Sequence, residues 1–294
     1  MDTSELLIDF RITSQCYLSC NLCFRNPGIV DQPLEDILEV ITKLSRLGFK
    51  KIGITGGEPT MREDYISIIK KAKQLGFLTY LSTVGHKFIA HLPLLEPILD
   101  WVGLPLDGVS YETNAAIRSS RMGNQHEVIE SIFNSLSKKP TAIKIKLTTV
   151  VSQTNIYNLD DIIYFVKKLN CSFTIWRFYQ FCPLGIGKNS RKNLEISTEL
   201  FLEQMALLKS KYQNLPLSWA TFEERDRANI IMEPNFDIVI PEGEEYTYLC
   251  NIRKDSHSLI VSSIGYRQDI LSKCLANRYW LDDFTRERQT GMLA

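Results

Sequence analysis

The sequence predicts an α/β fold, a partial (β/α)6 barrel of parallel strands with a C-terminal extension covering its open side. Three observations carry that expectation. Short strand-like runs alternate with stretches of helical apolar spacing from residue 7 to residue 181, and the helical stretches are long enough to cross over between parallel strands. Beyond Pro183 the alternation weakens, which sets residues 1–182 apart as a core barrel and residues 183–294 as the extension. With 294 residues and 44% apolar content the chain can bury a large core. Its 34 basic and 34 acidic side chains cancel, which disfavours bulk nucleic acid or an anionic membrane as the main partner, because both reward a basic excess.

Each element has a local reason. Leu7 to Thr13 reads as a first strand and feeds a loop over residues 14–30 rich in Ser, Asn, Pro and Gly. Leu34, Ile37, Leu38, Ile41, Leu44 and Leu47 fall at helical spacing, and Gly48 is a fitting stop. Lys51 to Thr55 is a second strand ending in Gly56-Gly57-Glu58-Pro59, and a helix from Asp64 to Gln74 stops at Gly76. Phe77 to Thr83, Trp101 to Leu106, Ala142 to Val151 and Phe173 to Phe181 supply the remaining strands. Tyr111 to Leu136 reads mostly as helix, and so does Leu159 to Leu169. Residues 197–211 form a helix capped by Ser197, while 236–274 mix possible strands with loops, including a hairpin-like run from Leu259 to Tyr266. The most apolar stretch, Leu92 to Leu106, is cut by Pro93, Glu96, Pro97, Asp100 and Pro105, so it cannot span a membrane. With no secretory-signal pattern at the N-terminus, a cytoplasmic protein is expected.

The cysteines bring in chemistry. Seven thiols, an odd number, argue against a disulfide framework in a reducing compartment. Cys16, Cys20 and Cys23 form C-x-x-x-C-x-x-C, and no second pair downstream completes a zinc ribbon. Three thiolates can hold three irons of a [4Fe–4S] cluster and leave the fourth open to another ligand. In a parallel barrel ligands gather at the carboxyl ends of the strands. The cysteine loop, Gly56-Gly57-Glu58-Pro59, Ser82-Thr83 and Asp107 all follow strand ends.

The cysteine motif after the first strand, together with Gly56-Gly57-Glu58-Pro59 after the second, resembles the radical S-adenosylmethionine (radical SAM) superfamily over residues 6–182. The resemblance implies that Cys16, Cys20 and Cys23 ligate a [4Fe–4S] cluster and that S-adenosylmethionine takes the open iron. An external one-electron reductant such as flavodoxin or ferredoxin then drives its cleavage to a 5′-deoxyadenosyl radical, which abstracts hydrogen from a small-molecule substrate. The resemblance also implies cofactor contacts from Gly56, Gly57, Glu58 and Pro59, and from Ser82 and Thr83. There relatives often show Thr-Asn-Gly, whereas this chain reads Ser82-Thr83-Val84-Gly85. Arg118 or Arg121 resembles the arginine that pairs with the cofactor carboxylate, and Leu22 stands where an aromatic residue often precedes the third cysteine. Asp107 and Tyr179, at strand ends, are the catalytic candidates, for orienting cofactor or substrate.

Within the superfamily, Lys51 to Pro59, Lys144-Ile145-Lys146 with Asn155, and Trp176 to Phe181 resemble the viperin and MoaA-type branch. That implies a nucleotide substrate, with Lys144, Lys146, Arg177, Lys188 and Arg191 available to phosphates. On the residues alone, Lys144 and Lys146 fit one strand face and Lys188 to Lys192 a solvated loop equally well. Two enzymatic alternatives stay open. One is a peptide-modifying enzyme with an auxiliary cluster near Cys250 and Cys274, helped by Cys182; the other is a glycyl-radical activating enzyme, suggested by Arg25-Asn26-Pro27-Gly28. A non-catalytic iron–sulfur electron carrier or sensor would explain the thiols but not Gly56-Gly57-Glu58. Cys171, Cys250 and Cys274 also suit a simpler role as small buried apolar residues. His86 is the histidine nearest the expected mouth, and the tail Asn277 to Ala294 is a candidate to close it.

Overall fold

In the computed structural model, which describes residues 3–120, 124–170 and 172–265, the expected alternation becomes one parallel arc. It begins with β1 (Leu7–Arg11), β2 (Leu18–Cys20), α1 (Leu34–Arg46), β3 (Lys51–Thr55), α2 (Tyr65–Gln74), β4 (Leu78–Ser82) and α3 (Phe88–Leu95). Next come β5 (Trp101–Pro105), α4 (Tyr111–Ile117), β6 (Arg118–Ser120), α5 (Gln125–Lys138), β7 (Lys144–Val151), α6 (Leu159–Lys168) and β8 (Ile175–Gln180). The strands β1-β3-β4-β5-β7-β8 pair in parallel, in chain order, and do not close on themselves. Their alternation sorts side chains. Ile8, Phe10, Ile52 and Ile54 turn outward into the main core with Ile37, Ile41 and Leu44 of α1, while the opposite face lines a lumen. Leu7, Leu78, Tyr80, Trp101 and Ile175 plug that lumen at its floor.

Residues after 182 extend the same sheet. They form α7 (Arg191–Leu194), α8 (Thr198–Lys211), β9 (Leu217–Ala220), α9 (Phe222–Arg225), β10 (Ile230–Met232), β11 (Asp237–Glu242), β12 (Glu245–Asn251) and α10 (His257–Gly265). β9 pairs in parallel with β8 and β10 in parallel with β1; β11 and β12 continue antiparallel beyond β10. Between β9 and β10 the chain bridges the two sides of the arc. The Phe222 N–H donates to the Gln180 side chain on β8 (2.8 Å), and the Arg227 N–H to the Pro241 carbonyl on β11 (2.8 Å).

Two local expectations are corrected. The helix read over Tyr111 to Leu136 is broken after Ile117, because β6 pairs antiparallel with β2 in the cysteine loop, a tertiary partner that local helical spacing does not register. The run Leu259 to Tyr266 begins as α10 rather than as a hairpin: the Ser256 hydroxyl accepts from the Leu259 N–H (3.3 Å), and Ile260 and Ile264, four apart, are buried on one face. The hairpin lies earlier, where Gly243-Glu244 joins β11 to β12. Ser197 caps α8 as expected, accepting from the Leu200 N–H at 3.2 Å. Among the described residues no helix is long and apolar enough to cross a membrane.

Candidate active site

The cysteine loop is docked onto the end of β3 by backbone contacts. The Gly57 N–H donates to the Thr13 carbonyl and the Glu58 N–H to the Gln15 carbonyl, both at 2.8 Å. Side chains at 56 and 57 would collide with those carbonyls, and Gly56 has φ +148°, a conformation open to glycine. The two glycines thus press strand β3 against the residues immediately before Cys16. Glu58 is buried and accepts from Thr60 N (3.1 Å), Thr60 Oγ1 (2.6 Å), Thr83 Oγ1 (2.6 Å) and Val84 N (2.9 Å). It ties the ends of β3 and β4 together. Pro59 opens the short turn that Glu58 caps, and Ser82 ends β4 on the lumen side, hydrogen-bonded to Tyr80.

The thiols sit on a supported loop. Leu18, Leu22, Val84, Ile117, Phe181 and Leu194 form a small apolar cluster beneath it. The Gly187 N–H donates to the Cys23 carbonyl (2.7 Å) and the Leu18 N–H to Cys16 Sγ (3.4 Å). Cys16, Cys20 and Cys23 are free thiols close enough to act on one another electrostatically. Burial pushes the Cys20 thiol up to about 11, with the Arg118 guanidinium opposing, so binding a metal there would have to release its proton. Among the described residues no three His, Cys, Asp or Glu side chains converge on a single ion. Three soft sulfur donors spread over one loop fit an iron–sulfur cluster, whose irons stand apart, better than one tetrahedral metal.

Arg118 and Asp107 meet here. Register places Arg118 opposite Cys20 across β2 and β6, and its Nη1 lies 3.9 Å from Cys20 Sγ. Its Nε donates to Asp107 Oδ2, while Asp107 Oδ1 accepts from the Val150 N–H (2.7 Å). Arg121 lies outside the described residues. Tyr17 of the loop meets His86 after β4, hydroxyl to Nδ1 at 2.9 Å with rings edge to face.

Below the loop, the lumen gathers charge. Asp9, Lys146, Arg177 and Tyr179 line it, and glycines at 53 and 103 leave room there for the Tyr80 ring. Lys146 lies over the rings of Tyr80 (5.4 Å) and Tyr179 (5.6 Å); Arg177 and Arg225 lie over Tyr179 at 5.4 and 4.7 Å. Burial pushes the Lys146 ammonium below its ordinary range and the Asp9 carboxyl up to about 6. Burial also works against ionising Tyr179, yet Lys146 and Arg177 outweigh it and hold that phenol below its ordinary value. Arg225 is brought in by Gln180, whose carbonyl accepts from Arg225 Nη1 (3.3 Å).

The other basic candidates go elsewhere. Lys144 starts β7 at the barrel's opposite end, over Trp101 (5.2 Å). Lys188 pairs with Glu245 and Arg191 with Glu195 (2.9 Å) and Glu244, all partly exposed, so the loop basic run is met by carboxylates from α7's end and the β11–β12 hairpin. Cys182 and Cys250 are both buried but in different surroundings, Cys182 near Arg225 and Cys250 in the main core near Asp255 and Asp237. Cys171, Cys274 and the tail from Asn277 lie outside the described residues. The sequence reading passed over Asp9, Arg11 and Arg225. The first two had a signal: charges at 9 and 11 alternate with Ile8, Phe10 and Ile12, as an inward-facing polar row requires. Arg225 had none, because only the crossing from β9 to β10 brings it over Tyr179.

Arg11 fastens the loop from the other side. Its Nη1 lies 2.7 Å from Glu233 Oε1 in a pair only 3% exposed on each side, and its Nη2 donates to the Tyr246 hydroxyl (2.9 Å) and the Phe24 carbonyl (3.3 Å).

Comparisons with known proteins bear on the family and the fold. A family model described as the Radical SAM superfamily matches residues 10–153. The chain is 25% identical over 275 residues to the S-adenosylmethionine-dependent nucleotide dehydratase of Flammeovirga pacifica, covering 89% of this chain and 91% of that one. It is 29% identical over 196 residues to the GTP 3′,8-cyclase of Limosilactobacillus fermentum, covering 63% of this chain and spanning 57% of the cyclase. The crystal structure of Streptococcus suis SuiB bound to S-adenosylmethionine is similar with a TM-score of 0.63 at 16% identity, over 86% of this chain and 65% of that one. At that identity the likeness is one of fold, an unclosed α/β barrel.

Proposed function

The chain carries a radical SAM domain and is a radical SAM enzyme, and from that premise we propose that it removes a hydrogen atom from a nucleotide held in the barrel lumen. The domain implies a [4Fe–4S] cluster and S-adenosylmethionine, with Cys16, Cys20 and Cys23 as cluster ligands. When bound, the cluster supplies the electron that cleaves S-adenosylmethionine to a 5′-deoxyadenosyl radical. The observation that carries the nucleotide reading is the cationic lumen. Lys146, Arg177 and Arg225 converge on Tyr179 beneath the cysteine loop, and Asp9 is the carboxylate that acts electrostatically on Lys146. Desolvated cations of this kind favour an anion such as a triphosphate, since charge–charge attraction is stronger away from water. The nucleotide-acting names of two relatives support the same class.

The chain's own residues have separable tasks. The glycines at 56 and 57 with Glu58 hold the cysteine loop at the mouth, and Ser82 and Thr83 line the adjoining strand end. Lys146 and Arg177 hold phosphate, and Tyr179, hydrogen-bonded to Lys146, orients it. The crossing from β9 to β10 keeps water from the open side, where a carbon radical would otherwise be quenched.

The test is anaerobic reconstitution followed by S-adenosylmethionine, dithionite and each nucleoside triphosphate in turn, with 5′-deoxyadenosine as the readout. One triphosphate should stimulate 5′-deoxyadenosine formation well above the background without nucleotide; a filled cluster that responds to none of them would sink the nucleotide reading. In the responsive assay Lys146→Met should raise KM for that nucleotide about tenfold or more, the scale of one lost charged hydrogen bond. Lys144→Met, at the far end of the barrel, should leave it unchanged.

A further inference from the structure

We propose that Arg118 raises the reduction potential of the cluster by holding its guanidinium charge against the Cys20 ligand, with Asp107 as the anchor that aims it. The proposal rests on the radical SAM domain and is independent of which substrate the lumen takes. Its basis is a directed pair. Antiparallel register sets Arg118 opposite Cys20, and Nη1 reaches to 3.9 Å of the sulfur. The other end of the guanidinium is fixed by Asp107, whose side chain is 2% exposed against 14% for Arg118. Asp107 cannot swing toward the sulfur itself. One of its oxygens takes the Arg118 Nε, the other takes the Val150 N–H (2.7 Å), and its backbone carbonyl accepts from Asn155 Nδ2 (2.8 Å). The ion pair is therefore a dipole with its positive end toward the Cys20 sulfur and its negative end held at the ends of β5 and β7.

The physical consequence follows from charge. One-electron reduction adds a negative charge to the cluster, and hydrogen bonds and positive charge at the ligand sulfurs stabilise the reduced state. The pair is largely removed from water, so solvent screens it little. Arginine suits the task because its charge is permanent and its planar fork serves a carboxylate and a second acceptor together.

The test is a mediator titration of reconstituted wild-type, Arg118→Gln and Arg118→Lys proteins without S-adenosylmethionine or substrate, followed by visible absorbance and the electron paramagnetic resonance signal of the reduced cluster. Leaving out S-adenosylmethionine excludes any role of Arg118 toward the cofactor carboxylate. With iron content matched to wild type, Arg118→Gln should lower the reduced-to-oxidised ratio at a fixed potential about tenfold, about 59 mV for one electron. Arg118→Lys, keeping charge but losing the fork, should shift it in the same direction by less, and it carries the test if the glutamine variant loses iron. A full cluster in Arg118→Gln with an unchanged ratio overturns the proposal. So does loss of iron from both variants, which would make Arg118 part of the loop's scaffold only.

Discussion

Gly57→Ala should cost the protein its cluster while leaving its barrel folded. The added methyl would stand against the carbonyl oxygen and carbon of Gln15 and the carbonyl oxygen of Ser14. These are backbone atoms, so no side-chain rotation relieves the overlap. Relief requires moving Thr13 to Gln15, and those residues lead directly into Cys16. The main core, built from strands and helices beyond the loop, does not include position 57. Gly76→Ala is the matched control. Gly76 has φ +82° with open space around it, so alanine there strains the backbone by about 1 kcal/mol and disturbs nothing near the thiols. After anaerobic reconstitution Gly57→Ala should hold well under the four irons per chain of a filled cluster, with near-normal circular dichroism, while Gly76→Ala keeps its iron and melts earlier. A full iron complement in Gly57→Ala would refute the docking role given to this glycine.

Removing Glu233 should be the most destabilising of the single changes considered. Arg11 and Glu233 form an ion pair 3% exposed on each side, joining β1 to the segment that follows β10. Truncating one partner strands the other charge in a dry site, a loss of about 3–5 kcal/mol. In a domain of this size that lowers Tm by roughly 10 °C. The damage should reach the cysteine loop, because Arg11 also donates to the Phe24 carbonyl next to Cys23, and Asn26 Nδ2 donates to Glu233 Oε1 (3.2 Å). Glu233→Ala should therefore show both a lower Tm and slower cluster incorporation. The double variant Arg11→Met with Glu233→Leu should recover most of the Tm, since apolar replacement of a buried pair is often neutral, but not the incorporation rate. A Tm within 2 °C of wild type for Glu233→Ala would show that water or a neighbouring group rescues Arg11.

How much of this was readable beforehand differs by element. β3 has the ends its sequence predicts, because Lys51 to Thr55 is bounded by Gly48 and by Gly56-Gly57 and carries β-branched residues between them. The three clustered cysteines and the Gly56-Gly57-Glu58-Pro59 turn are legible for a related reason: residue type and short spacing mark them. The lysines show where such reading stops. Lys144 and Lys146 share one face of β7, as period two requires, yet two residues of strand rise separate them by about 6.6 Å. That offset puts one at the barrel's outer end over Trp101 and the other among the lumen tyrosines.

The parallel α/β order, the three thiols on one loop and the glycine turn beside them follow from hydrophobic periodicity and short motifs, which act over a few residues. Which charges meet depends on long-range packing. Arg118 reaches Cys20 through β2–β6 pairing across 98 positions, and Arg11 finds Glu233 across 222. Arg225 reaches Tyr179 only because the chain crosses from β9 to β10 over the open side. Each of these contacts is set by strand register and by how the open arc curves, and both come from burying apolar faces along the whole chain rather than from any preference of the residues that finally touch.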